Sequence, residues 1–162
     1  ATEEKGIQCG AAARDGYEDL DREDYHKAFD TCFRDSGCVL VGAALSAEAD
    51  RHRKAGFSNY GSRVDAHGYG RGVVTAGYGD LHRGADANYT ESFSGTSSST
   101  PIVGGAMVSL LGMAKNLGVS LSPQSLRDAL RFTGTPQLAP NGERIGNLPD
   151  MKAAYTVLFE NK

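Results

Sequence analysis

The chain has 162 residues, 40% of them apolar, with seventeen basic against twenty acidic side chains and a net charge of −3. That composition suits one domain with a real core and excludes a disordered segment. No Lys/Arg block offers a track for phosphates, so nucleic acid is not an expected partner, and no run approaches the ~20 apolar residues of a membrane span.

Gly6 to Ala13, a run of mostly small residues, predicts a short buried strand, and the polar stretch from Arg14 to about Ser36 reads as loop. Cys38-Val39-Leu40-Val41-Gly42-Ala43-Ala44 is a continuous apolar run led by Gly37. It predicts a second buried strand, in parallel pairing. A charged stretch, Ala47 to Lys54, precedes two short strands expected at Val64 to Gly68 and Val73 to Ala76, set between glycine-rich turns. Gly77 to Thr90 reads as an exposed loop.

From Thr100 to Leu117 the positions Val103, Ala106, Met107, Leu110, Leu111, Ala114 and Leu117 recur at helical spacing. They predict an almost fully buried helix against a sheet, ended by Gly118. Ser122 as cap and Pro123 at the first position open a second helix, which turns Leu126, Ala129 and Leu130 inward and stops at Gly134. A third starts around Pro149-Asp150 and runs towards Phe159. No repeat or linker interrupts the sequence, so residues 1–162 are expected to form a single domain. Strands leading into helices imply a three-layer α/β architecture.

Cys9, Cys32 and Cys38 are an odd set, so at most one intramolecular bridge forms. Cys32 and Cys38 either close a small loop around Phe-Arg-Asp-Ser-Gly or stay reduced and buried. Their spacing is not that of zinc ligands, and His26 reads as a surface histidine; no metal is expected. Asp19, Asp21, Glu23 and Asp24 make calcium conceivable, although such a run is ordinarily a solvated surface. The first residues, Ala1-Thr2-Glu3-Glu4-Lys5, lack the basic-then-apolar pattern of a signal peptide.

The chemistry concentrates at Gly95-Thr96-Ser97-Ser98-Ser99-Thr100-Pro101. A serine on a glycine-led turn entering a helix has an open approach for a substrate carbonyl, and the helix start aims unpaired N–H groups at the developing oxyanion. Ser97 is the expected nucleophile, on a turn that uses Gly95, Thr96, Thr100 and Pro101. The competing reading is a plain N-cap.

The segment Phe93 to Ala106 resembles the nucleophile motif of subtilisin-like serine proteases, the subtilases: Gly-Thr-Ser-x-x-[Ser/Thr]-Pro-x-Val-[Ala/Gly]-Gly. Ser98 stands where many subtilisins have methionine, which removes an oxidisable thioether. Phe57-Ser58-Asn59-Tyr60-Gly61-Ser62-Arg63-Val64-Asp65 resembles the Phe-Ser-Asn-x-Gly-x-x-Val-Asp segment that precedes that motif in the family. The resemblance spans nearly the whole chain but only the C-terminal half of a subtilase catalytic domain. It implies a three-layer subtilisin-like parallel sheet flanked by helices, and a secreted or periplasmic location.

Two positions depart from the family. Ala12-Ala13-Arg14-Asp15-Gly16 lies where subtilases read Ala-Ala-Gly-Asn-Gly, so the resemblance puts Asp15 at the position of the oxyanion-binding asparagine and Ala12, Ala13, Arg14 and Gly16 on the substrate pocket. An ionised Asp15 offers acceptors where the chemistry wants a donor, whereas a protonated one can still donate. Arg14 either obstructs the pocket or selects acidic side chains.

The family's catalytic aspartate and histidine precede that asparagine, and fourteen residues leave no room for their motifs. Asp35-Ser36-Gly37 reads as a turn, His67-Gly68 as a decoy, Gly68-Tyr69-Gly70-Arg71-Gly72 as a glycine-rich turn, and His52 and His82 lack a partner. The expectation is therefore a serine endopeptidase acting through a Ser97 acyl-enzyme, with Asp and His from a complementary N-terminal half. The alternative is a non-catalytic module that binds peptide or a partner protein. Third comes an esterase that recruits His26, His52, His67 or His82. No cofactor is expected; the partners are a peptide or protein substrate and the missing half or a second copy.

Overall fold

The structure, a computed structural model, describes residues 6–160; the reading of residues 1–5 lies outside them. Among them five strands and three helices follow in order. They are β1 (Gly10–Ala12), β2 (Val39–Ala44), β3 (Ala66–Tyr69), β4 (Val73–Ala76), β5 (Tyr89–Phe93), α1 (Thr96–Asn116), α2 (Pro123–Phe132) and α3 (Met151–Tyr155). A wide turn, Thr156–Glu160, continues α3.

An unbroken apolar strand needs cover on both faces, and β2 has it. It is the middle of a parallel sheet of order β1-β2-β3, with Ala12 opposite Val41 and Val41 opposite Ala66. Alternation sorts its side chains. Val39 and Val41 face the helices, packing with Val103, Met107, Leu110, Leu126 and Leu130. Leu40 and Ala44 face the other way, towards Leu20, Val64 and Ile145 from loops. Gly42 sits on that loop-covered face because a Cβ there would lie 2.8 Å from Ile145 Cβ. The expected α/β class with a parallel sheet and flanking helices stands, with the helices gathered on one face.

Several local expectations change. The first strand is three residues long and partly exposed, because nothing among the described residues pairs with its outer edge. Gly77 to Thr90 is not simply loop: Tyr89–Phe93 folds back antiparallel on Val73–Ala76 as a separate two-stranded sheet. Tyr89, Thr90 and Phe93 are strand-favouring residues, but polar Glu91 and Ser92 between them break the apolar alternation that would have signalled a strand.

Helix α1 starts four residues earlier than its apolar period, and it is not almost fully buried. Val103, Met107, Leu110 and Ala114 line the core face, whereas Val108 is 69% and Leu117 48% exposed. The helix α2 follows expectation, with Ser122 Oγ accepting from Ser125 N–H and Leu126, Ala129 and Leu130 inward. Asp150 caps α3 by accepting from the N–H groups of Lys152 and Ala153.

The cysteines are also corrected. Cys9 and Cys38 are joined, leaving Cys32 free and exposed, so no Cys32–Cys38 loop forms. The parallel register explains the choice: Gly10 pairs with Val39, which brings the preceding residues together with their Cα atoms 4.5 Å apart.

Two ion clusters, one buried at Asp65 and one partly exposed at Asp35, tie loops to helices. Asp65, with no exposed surface, takes Arg63 at 2.5 Å, Arg131 at 3.0 Å and the Leu40 N–H at 2.8 Å. Asp35 pairs with both terminal nitrogens of Arg127 at 2.6 Å, which holds its carboxyl down to about 2. Removing one partner of a buried pair strands the other charge, at a cost of about 3–5 kcal/mol. Asp65→Asn is therefore expected to lower unfolding free energy by about that amount in urea titration. A change within about 0.5 kcal/mol would show that Asp65 does not organise this junction.

Candidate functional site

The site grows from the way α1 is seated. Gly68, at the end of β3, admits its backbone: a Cβ there would lie 2.6 Å from the Ser99 carbonyl oxygen, whereas one on the neighbouring Gly70 would collide with Ala43 of β2. Ser98 Oγ donates to the Tyr69 carbonyl and Ser99 Oγ to the Gly68 carbonyl, each at 3.1 Å. The N–H of Gly95, whose φ of +103° suits only glycine, donates to the Gly70 carbonyl at 2.9 Å.

Successive helical residues point about 100° apart. With Thr96, Ser98 and Ser99 buried against β3, Ser97 is the residue of that turn left exposed. It lines two cavities. One, of about 760 Å³, is shared with Ala12, Ala13, Arg14, Asp15, Gly16, Glu18, Phe29 and Asn59. The other, of about 680 Å³, runs along the apolar side of α1 past Thr100, Pro101, Met107 and Val108. Sequence-expected residues from two distant segments therefore meet: Ala12 to Gly16 and Ser97 share one wall.

Pro101 has no N–H to return to the Ser97 carbonyl, and Thr100 Oγ1 donates to the Thr96 carbonyl at 2.8 Å. Asp15 does something the sequence did not announce. Its Oδ1 accepts the Thr96 N–H at 2.8 Å, so a side chain eighty-one residues away caps α1, where Gly95 has none to offer. No local pattern signals a cap supplied across the fold.

Among the described residues no side chain bonds the Ser97 hydroxyl. His67 is fully buried, its Nδ1 2.9 Å from the Gly146 carbonyl oxygen and its Nε2 3.4 Å from His52 Nδ1. Both ring nitrogens are thus engaged, and His52, read as partnerless, has a partner. Burial, against the opposing pull of the Gly146 carbonyl, pushes His67 down to about 4, and burial also lowers His52. His26 is exposed, and His82 lies beside Tyr89 with the two rings tilted 44° to each other. In the acidic run, Asp21 accepts from Ser62 N–H and Oγ while Arg22 bridges Glu18 and Asp24.

The subtilase family matches over residues 10–146. An extracellular serine proteinase of Thermus sp. is 29% identical over 115 residues, covering 71% of this chain and 26% of that protein. Subtilisin-like protease 7 of Arthroderma gypseum is 30% identical over 103 residues, covering 64% of this chain and 24% of that protein. Among solved structures, the self-cleaved protease domain of PatA superposes with a TM-score of 0.67 at 25% identity, over 97% of this chain and 52% of that one. The prenylagaramide maturation protease PagA, at 21% identity and a TM-score of 0.69, shows the same fold over 99% of this chain and 53% of its own. The chain spans about a quarter of the curated relatives' length and about half of the solved chains.

His67 generates a pH prediction. Its proton affinity is lower folded than unfolded, so its contribution to stability is intact above about pH 6.5 and drains away as pH falls towards 4. The loss should be on the order of 3 kcal/mol, from about 1.4 kcal/mol per pKa unit. Thermal melts of wild type and His67→Gln should converge as pH drops through that window; a constant gap would count against a neutral buried His67.

Proposed function

The chain belongs to the subtilase family, and from that premise we propose that it supplies the nucleophile-bearing portion of a serine endopeptidase, with Ser97 as nucleophile. One observation carries the reading: Ser97 alone of its turn is exposed, at the start of a 21-residue helix and at the mouth of two cavities. In the reaction Ser97 Oγ bonds to the scissile carbonyl carbon while its proton passes to a histidine. The C–N bond then breaks as that proton goes to the leaving amine, and water releases the acyl group.

The aspartate–histidine pair comes from a complementary segment. Two features support such a partner: among the described residues the outer edge of β1 is unpaired, and the groove beside Ser97 presents the exposed Val108 together with Met107 and Leu111. An apolar groove and a bare strand edge call for cover. Export fits the Cys9–Cys38 bridge, since such bonds persist in oxidising compartments, and it fits the relative described as extracellular.

A second reading has specific support. Asp15, which the resemblance aligns with the oxyanion-binding asparagine, spends one oxygen on the Thr96 N–H, as a structural cap would. On that reading the chain is a binding module for peptide or a partner protein.

Casein hydrolysis tests the choice. The chain alone should be inactive; mixed with a subtilase segment carrying the aspartate and histidine, it should turn over casein and lose that activity in Ser97→Ala. In the active mixture Asp15→Asn should raise turnover by roughly a hundred- to a thousandfold, the value of one oxyanion donor. No Ser97-dependent turnover in the mixture would favour the binding module, and a drop in Asp15→Asn would remove Asp15 from the oxyanion position.

A further inference from the structure

The cavity beside Ser97 has an unusual wall residue. Arg14 holds a backbone φ of +77°, the left-handed region in which a side chain is strained and glycine is not. Among the described residues its guanidinium has no hydrogen bond and no ion pair, although two carboxylates line the same cavity. Asp15 has one oxygen on the Thr96 N–H. Glu18 is held by Arg22 at 2.9 Å and by the Tyr25 hydroxyl at 3.3 Å. Glu18 is thus already paired and Asp15 holds the helix start, so Arg14 is the cavity's one cation and, among the described residues, its guanidinium is free to meet an incoming carboxylate. The same lining includes the apolar Leu20, Phe29 and Leu40, which accept methylene groups.

From this arrangement we propose that Arg14 makes the cavity selective for a carboxylate-bearing side chain, so that peptides with glutamate or aspartate at the residue whose carbonyl meets Ser97 are the substrates. The inference rests on the Ser97 reading above. The strain has a function on this account: glycine would relieve it, but only a long cation provides the five N–H donors in a planar fork that match a carboxylate. Discrimination comes from a charged hydrogen bond made to glutamate and not to its isosteric amide. Glutamate over glutamine isolates that interaction from size.

Peptide amides ending in Glu, Gln, Lys or Leu before a chromogenic leaving group are the probes, assayed as kcat/KM with the complemented chain, with fluorophosphonate labelling of Ser97 in parallel. Wild type should prefer Glu over Gln by about ten- to a hundredfold, the usual worth of a hydrogen bond to a charged group. Arg14→Gly, which also relieves the backbone, should bring that ratio close to one, and Arg14→Glu should shift preference towards Lys. Equal turnover of Glu and Gln by wild type, or a ratio unchanged in Arg14→Gly, overturns the assignment while labelled Ser97 leaves the peptidase reading standing. Absence of both turnover and labelling overturns the two together.

Discussion

Backbone contact between the first turn of α1 and the end of β3 is the constraint on which the site depends. Gly68 on the strand side and two serine hydroxyls on the helix side bring the elements closer than side chains would allow. Once Ser98 and Ser99 are committed to strand carbonyls, helical geometry decides where Ser97 points. A larger residue at Gly68 would lift the helix start and turn the hydroxyl away from both cavities.

The surrounding charges hold this seat in place from behind. Asp65 joins the start of β2 to α2 through Arg131, and Asp35 fastens the loop before Cys38 to α2 through Arg127. The Cys9–Cys38 bridge then binds the edge strand β1 to β2. That matters for function because β1 runs directly into Ala13, Arg14 and Asp15. An edge strand with one neighbour would otherwise hold its outgoing loop loosely; here it is covalently anchored at one end and hydrogen-bonded to the helix at the other, through Asp15.

Much was legible in linear patterns. The apolar run of β2, the Ser122-Pro123 opening of α2 and the glycine-led serine turn each report a local requirement, and each formed where it was read. The hairpin of β4 and β5 was missed because polar residues blur its alternation. The exposed side of α1 was missed because apolar spacing does not reveal whether anything covers a face: Val108 and Val103 look alike in sequence, and only the sheet's position separates them.

By itself the sequence determined that a parallel α/β sheet forms, that a glycine-led serine turn opens its long helix, and that Arg14 and Asp15 depart from the pattern they resemble. These are properties of residue type, period and turn chemistry, which act over a few neighbours. Only the tertiary structure decided that Asp15 caps a helix eighty-one residues away, that Cys9 rather than Cys32 meets Cys38, that His52 pairs with His67, and that the Arg14 guanidinium makes no ion pair among the described residues. Each of those depends on strand register and on which loops the packing brings together, and such distances are set by the whole chain closing on one core.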